Sequence, residues 1–323
     1  MTIDTFLDTA GWGNAKQHPL AGDASSRRYI RLCSGPKRAI LMIDPQGDTG
    51  QFEHIARHLS AIGLSAPNIL AHANGLMLLE DFGDAQFAQV IAASPDHETP
   101  LYAAATDVLC QLETAALPSG LNVATPESLG QMIEPAFTHY LPSLGITADD
   151  QATKITDCLT DLLARYVPSD TVLVLRDFHA ENMIWLPDRT AVRRVGLLDF
   201  QDALAGPPVY DLVSMLQDAR RDVSAICHAA TIRRYLDQTG RSEAEVLLLF
   251  HVLGVQRNLR ILGIFARLAR ERGKPGYMAL IPRVWGHICA SLAIPEFRDL
   301  EPMVHGLFPD PNPNLLQKGH PDA

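Results

Sequence analysis

Three oxygen-bearing side chains, Asp177, Asn182 and Asp199, stand at spacings that suit work on a phosphate. They lie in VLVLRDFHAENMIWLPDRTAVRRVGLLDFQD, residues 172–202. Two short apolar runs, Met183–Leu186 and Val195–Leu198, suit buried strands on either side of the polar segment Pro187–Arg194. Paired as a hairpin with Leu186 opposite Val195, they would set Asn182 opposite Asp199 at the open end, with Asp177 just ahead of it. Magnesium takes oxygen ligands from one or two side chains and leaves the rest of its shell to water and substrate phosphates. A second carboxylate, off the metal, can orient an acceptor hydroxyl and take its proton. The pattern Asp-x4-Asn-x16-Asp therefore reads as a base, Asp177, followed by two metal ligands, Asn182 and Asp199. A hairpin capped by turn-forming Asp and Asn is the plainer reading of the same residues. The flanking strands and the sequence after Asp199 favour the first.

A chain of 323 residues with 47% hydrophobic and 20% charged residues can build one large domain or two. No uncharged apolar run reaches the length of a bilayer span, so no membrane segment is expected. The N-terminal MTIDTFLDTAGW lacks the basic and apolar regions of a secretory signal, and a cytoplasmic protein is expected. The five cysteines (Cys33, Cys110, Cys158, Cys227 and Cys289) are scattered without a C-x-x-C pair. They read as reduced thiols, not as a disulfide frame or a zinc site. A net charge of −10 argues against nucleic acid as a partner. No obligate protein partner is evident, and the expected partner is a small molecule.

The elements that must position the three residues come in two blocks. Residues 1–84 read as a β-rich nucleotide lobe. A short helix over Thr2–Gly11 leads to HPLAGDASSRRYIRL, in which Gly22–Ser26 is a run of small turn formers ahead of a strand, Arg28–Leu32. Backbone amides of such a loop, at Ser25 and Ser26, can cradle phosphates; a plain hairpin turn is the default reading of small residues alone. A strand follows over Arg38–Asp44, then a helix over Gln51–Ile62 with Phe52, Ile55, Leu59 and Ile62 on one face. Strands over Ala66–Leu70 and Leu76–Glu80 complete the block. The connector LLEDFGD, residues 78–84, is the expected place for an adenine to bond backbone groups, with Glu80 and Phe82 as candidates.

Residues 85–323 read as mostly helical. Periodic segments cover Leu101–Ala116, Pro126–Tyr140, Ala148–Tyr166 and Val209–Asp218, with Asp211 in the first turn of the last, where a carboxylate suits the helix dipole. In His251–Arg272, Val252, Val255, Leu259, Leu262 and Phe265 share a side. Its arginines read first as a solvated face. Arg257 and Arg260 flank the apolar seam, and Arg257 there can grip a carboxylate or phosphate through a bidentate fork.

Four stretches carry a resemblance: GDASSRRYIRL (22–32), LRDFHAENMIWL (175–186), GLLDFQDALAGPPVYDLVSML (196–216) and QRNLRILGIFARL (256–268). The chain resembles the aminoglycoside phosphotransferase and choline kinase-like superfamily. Within it, the chain is most similar to the N-acetylmuramate/N-acetylglucosamine anomeric kinases of peptidoglycan recycling. The resemblance implies an α+β, protein-kinase-like bilobal fold, with an N-terminal antiparallel-sheet lobe and a mostly helical C-terminal lobe. It implies ATP and Mg2+, Asp177 as base, Asn182 and Asp199 as metal ligands, and Asp211 as a buttress of the catalytic loop. It further implies a sugar hydroxyl as acceptor and a sugar 1-phosphate as product.

Two departures stand out. Leu175 replaces a frequent histidine two residues before the base. Met42 stands where kinases carry, in the third strand, the lysine that holds the nucleotide's phosphates. Arg28 and Arg31 are the nearest replacement cations; being an odd number of residues apart they face opposite sides, and Arg28 is preferred. Glu53, the lysine's usual partner, is left without a clear role. Four residues join the list on the acceptor side: Arg176 and His179 beside the base, and Gln201 and Asp202 after the metal carboxylate. His179 reads equally well as an acceptor contact or as a loop brace. Two alternatives compete: a kinase of aminoglycosides or other small alcohols, and a nucleotide-binding pseudokinase that the missing lysine motivates.

Overall fold

The computed structural model describes residues 2–20, 27–47 and 49–311. Helix α1 (Ile3–Thr9) starts on Thr2, whose hydroxyl accepts from the Thr5 amide at 3.2 Å. Strands β1 (Lys16–Pro19), β2 (Arg28–Ser34) and β3 (Lys37–Ile43) follow, then α2 (Gly50–Ala61), β4 (Ile69–Ala73) and β5 (Leu76–Glu80). The five strands form one antiparallel sheet in the order β1-β2-β3-β5-β4. Four short strands come later: β6 (Val172–Val174), β7 (Met183–Trp185), β8 (Val195–Leu197) and β9 (Leu204–Gly206).

Strand alternation decides what each sheet face does. Leu32, Ala39, Leu41, Ile43, Leu76 and Leu78 point to one side and bury against Phe6 and Leu7 of α1. Met42, Met77 and Leu79 occupy the other side and are also buried, so both faces of this sheet are covered. Helix α2 buries Phe52, Ile55, Ala56 and Leu59, the stripe its periodicity predicts. The strand expected at Ala66–Leu70 begins instead at Ile69. Pro67 has no N–H to give a ladder, which delays the pairing.

The molecule divides into two compact units, residues 1–111 with 175–203, and residues 112–174 with 204–323. This differs from the expected boundary after residue 84. The 175–203 segment goes with the first unit because the β7/β8 hairpin is stitched on both sides to the connections flanking β4 and β5. The Leu197 amide donates to Ser65 O at 2.8 Å and the Trp185 amide to Ala85 O at 2.7 Å. Helices α3 (Phe87–Ala93) and α4 (Glu98–Thr114) extend the first unit, with the Gln111 side chain donating to Ile62 O.

The second unit holds α5 (Pro126–Gln131), α6 (Leu141–Ser143), α7 (Asp149–Tyr166), α8 (Tyr210–Leu216), α9 (Ala225–Thr239), α10 (Glu243–Glu271), α11 (Ile281–Leu292) and α12 (Glu301–Leu307), with β6 paired to β9. The single helix expected over Pro126–Tyr140 is broken, with a π-turn at Ala136–Tyr140 after Pro135. Among the described residues, α10 is the one helix long and apolar enough to cross a membrane, and most of its apolar window is buried within the protein. It is the core helix of its unit.

The β7/β8 register corrects the expected one by a single residue. Trp185 faces Val195 and Met183 faces Leu197. Asn182 therefore meets Leu198, whose amide donates to Asn182 O at 3.0 Å, and Asp199 lies one step beyond. The connection uses more chain than a simple turn. Ala191–Arg194 forms a 3-10 turn with Ala191 at φ +49°, and Leu186 closes on Arg194 O at 2.8 Å.

Candidate active site

Asp177, Asn182 and Asp199 all lie in the first unit. The chain leaves β6 and turns sharply at Arg176, which sits at φ +71°, and the Asp177 amide folds back onto Leu175 O at 2.9 Å. A non-glycine residue in that region is uncommon and clusters at functional sites. The Asn182 side chain closes the loop: its Nδ2 donates to Asp177 O at 2.9 Å. That bond turns the amide nitrogen toward the loop and leaves the carbonyl oxygen facing away from it. His179 is buried, and its Nε2 lies 3.3 Å from Asn182 Nδ2. Its backbone oxygen accepts from the Asn182 amide at 2.9 Å. His179 thus braces the loop that sets Asn182.

Asp199 is also left-handed, at φ +57°. Gln201, itself buried, donates from Nε2 to Asp199 Oδ1 at 2.9 Å and fixes the carboxylate. The next residue, Phe200, is fully buried against Phe52 of α2, with ring centroids 4.9 Å apart. Asp199 is open to solvent on one side and packed on the other. Burial raises its carboxyl above the ordinary value; the Gln201 bond pulls it down, Asp177 and Asp202 push it up, and Arg27 pulls it down. Asp202 is exposed, and its backbone oxygen accepts from Arg176 Nη1 at 3.2 Å. A carboxylate whose proton affinity is raised by neighbouring negative charge marks a place where a cation is favoured. Among the described residues no three His, Cys, Asp or Glu side chains cluster into a cage. One Asn and one Asp make the sparse oxygen set that Mg2+ takes alongside phosphates, so the residues present fit that ion.

The other expected residues fall in different places. Ser25 and Ser26 lie outside the described residues. Arg28 is corrected: it pairs with Ile43 and shares the α1 side of β2 with Ile30 and Leu32, exposed and on the face opposite Met42. Arg31 has the right parity, but its Nε lies 2.7 Å from Asp81 and its Nη1 2.7 Å from Asp84. The Glu80 amide already donates to Asn68 O at 2.9 Å, and its carboxylate pairs with Arg189. Glu80 is thereby a structural tie, and its N–H is no adenine contact. Phe82 lies under the Arg189 guanidinium at 5.0 Å and fills the space over Gly196, where a Cβ would come within 2.7 Å of the ring.

Arg257 belongs to the second unit and is not on a solvated face. It is 5% exposed and donates from Nη2 to Ser214 Oγ at 2.8 Å. Asp211 is buried in α8 of the same unit.

Arg27 was not among the sequence candidates. Its Nε donates to Asp44 Oδ2 at 2.9 Å. Its neighbour Tyr29 has its phenol pushed up to about 12, by burial first and then by Asp199. The signal for Arg27 was register: counting β2 against β3 sets Arg27 beside Asp44 and on the Met42 face.

The family model described as "Phosphotransferase enzyme family" matches residues 16–248. An N-acetylmuramate/N-acetylglucosamine kinase of Caulobacter vibrioides is 36% identical, over 92% of this chain and 93% of that one. A protein of the same name from Pseudomonas aeruginosa is 30% identical, over 92% of this chain and 91% of that one. Among solved structures, a choline/ethanolamine kinase family protein from Mesorhizobium loti superposes with a TM-score of 0.63 at 16% identity, covering 90% of this chain and 92% of the other. The aminoglycoside phosphotransferase APH(4)-Ia, in a ternary complex with ADP and hygromycin B, superposes with a TM-score of 0.58 at 15% identity, covering 90% and 98%. At that identity the likeness shows the fold, which is protein-kinase-like.

Proposed function

Since this chain belongs to the phosphotransferase enzyme family, we propose that it is an ATP-dependent sugar kinase acting on the anomeric hydroxyl of N-acetylmuramate and N-acetylglucosamine. The observation that carries the reading is the placement of Asp177 and Asn182 on one braced loop, with Asp199 on the strand end beside it. The whole-length likeness to kinases named for those sugars supports the acceptor.

In this reading Asp177 orients the acceptor hydroxyl and takes its proton. An anomeric hydroxyl is more acidic than an ordinary alcohol, so a carboxylate is a sufficient base. Asn182 Oδ1 and the Asp199 carboxylate would hold Mg2+, which would supply charge neutralisation at the triphosphate. Gln201 keeps Asp199 in one rotamer, and His179 keeps Asn182 in its own. Arg176, tied to Asp202, stands next to the base and offsets charge on the transferring group. Positioning and electrostatics do most of the catalytic work in phosphoryl transfer. The product is a sugar 1-phosphate, which suits a place in cytoplasmic cell-wall recycling.

An aminoglycoside or other small-alcohol kinase is the weaker reading, because the likeness to those enzymes is at the level of fold alone. A pseudokinase is weaker still, since the sequence keeps Asp177, Asn182 and Asp199 together. The test is ADP release with a panel of sugars and aminoglycosides, with phosphorus NMR of the product. Turnover of both N-acetyl sugars, lost in Asp177→Asn with ADP binding kept, is the expected result. Turnover of another alcohol and of neither sugar would overturn the acceptor assignment.

A further inference from the structure

Met42 is 0% exposed and carries no charge, so it cannot act as the β3 lysine with which protein kinases hold the nucleotide's phosphates. The β2/β3 register identifies the residue that stands nearest to its place. Arg28 pairs with Ile43 and Tyr29 with Met42, and one step further Arg27 stands beside Asp44. Arg27 and Met42 are thus diagonal neighbours on one face of the sheet, within reach of a long side chain. The other nearby cations stand less well for that place. Arg31 is held between Asp81 and Asp84, and Arg28 faces the opposite side.

The groups around that position have partners of their own. Glu53 of α2, with no lysine to pair, takes His72 Nδ1 at 2.8 Å and also pairs with Arg57. His72 Nε2 is in turn 2.7 Å from Thr49 Oγ1. Asp44 is locked by its own backbone: Oδ1 accepts the Gln46 amide at 2.9 Å while Oδ2 holds Arg27 Nε. That contact engages the guanidinium from its Nε side and sets the plane of the fork. Arg27 is also close enough to Asp199 and Asp202 for their charges to be felt. Negative carboxylates at that point repel an incoming polyphosphate unless a cation stands by, and an arginine fork matches phosphate geometry better than an ammonium does.

We propose that Arg27, braced by Asp44, holds the phosphates of the nucleotide in place of the missing β3 lysine. This rests on the nucleotide-dependent reading given above. The test needs no turnover: calorimetric affinities of ADP with Mg2+ and of adenosine, for the wild type, Arg27→Gln and Arg28→Gln. Arg27→Gln is expected to weaken ADP about ten- to a hundredfold, the worth of charge-assisted hydrogen bonds, and to leave adenosine unchanged. Arg28→Gln is expected to change neither. Unaltered ADP affinity in Arg27→Gln, or an equal loss of ADP and adenosine, overturns the proposal. Should Arg27→Gln not fold, Arg27→Met, which keeps length but removes the charge, is read by the same rule: a loss confined to ADP supports it, and no loss or an equal loss overturns it. A wild-type protein that binds neither ligand would instead overturn the nucleotide reading itself.

Discussion

Gly263 of α10 sets two physical effects against each other, and the structure decides the sign. In an isolated helix, Gly to Ala is stabilising by about 1 kcal/mol, since alanine loses less backbone freedom on folding. At Gly263, however, the backbone of Pro135 presses against the helix. A Cβ placed there would lie 2.0 Å from the Pro135 carbonyl carbon, 2.2 Å from its oxygen and 2.4 Å from the Ala136 nitrogen. Contact distances for carbon begin at about 3.5 Å, so α10 and the π-turn must separate by more than an ångström. Both elements are ordered backbone, and neither can rotate a side chain out of the way. Overpacking of this kind costs about 1–3 kcal/mol or more. Set against the propensity gain, a net loss of about 2 kcal/mol is expected for Gly263→Ala. Gly286 in α11 is the control, because a Cβ there meets nothing within 4 Å. Gly286→Ala should stabilise by about 0.5–1 kcal/mol. Urea unfolding of the two variants reads both signs in one assay. A Gly263→Ala protein as stable as the wild type, or more so, would refute the close approach and with it the reason a glycine stands in the middle of a core helix.

Two further predictions concern charge. Asp199→Asn should raise the thermal midpoint of the metal-free protein, because ionising a carboxyl with a raised folded-state pKa costs stability as pH rises through that value. The same variant should lose the Mg2+-dependent increase in midpoint expected of the wild type, and a thermal-shift titration checks both. His287, His251 and His228 all have lowered values from burial, His287 to about 4. A histidine kept neutral in the folded state contributes fully above its unfolded value of about 6.5 and loses that contribution as pH falls toward the folded value. Urea midpoints should therefore drop between pH 7 and pH 5, and His287→Gln should flatten that slope. An unchanged slope would show that other groups carry the acid sensitivity.

Much of the fold was legible because apolar periodicity is a local property. The strand-strand-strand-helix-strand-strand order of the sheet follows from alternation and from Phe52, Ile55 and Leu59 at helical spacing. The misses have particular causes. Pro67 moved β4 by removing a donor, and Pro135 broke a helix whose apolar pattern ran through it. Arg257 was read from its charge as a flank residue, yet it is buried because α10 is packed nearly all round and Ser214 meets it from α8.

What the sequence determined by itself was the chemistry on offer: two aspartates and an asparagine beside short buried strands, together with Met42 where a kinase carries its phosphate-binding lysine. These depend only on residue type and on neighbours along the chain. Tertiary structure decided register and partnership. A 3-10 turn shifted the β7/β8 pairing by one residue, and the β2/β3 pairing put Arg27, not Arg28, on the Met42 face. The physical reason is the two-residue period of a strand: a slip of one position reverses which side every residue faces. Only the closed sheet counts the chain finely enough to choose between two adjacent arginines.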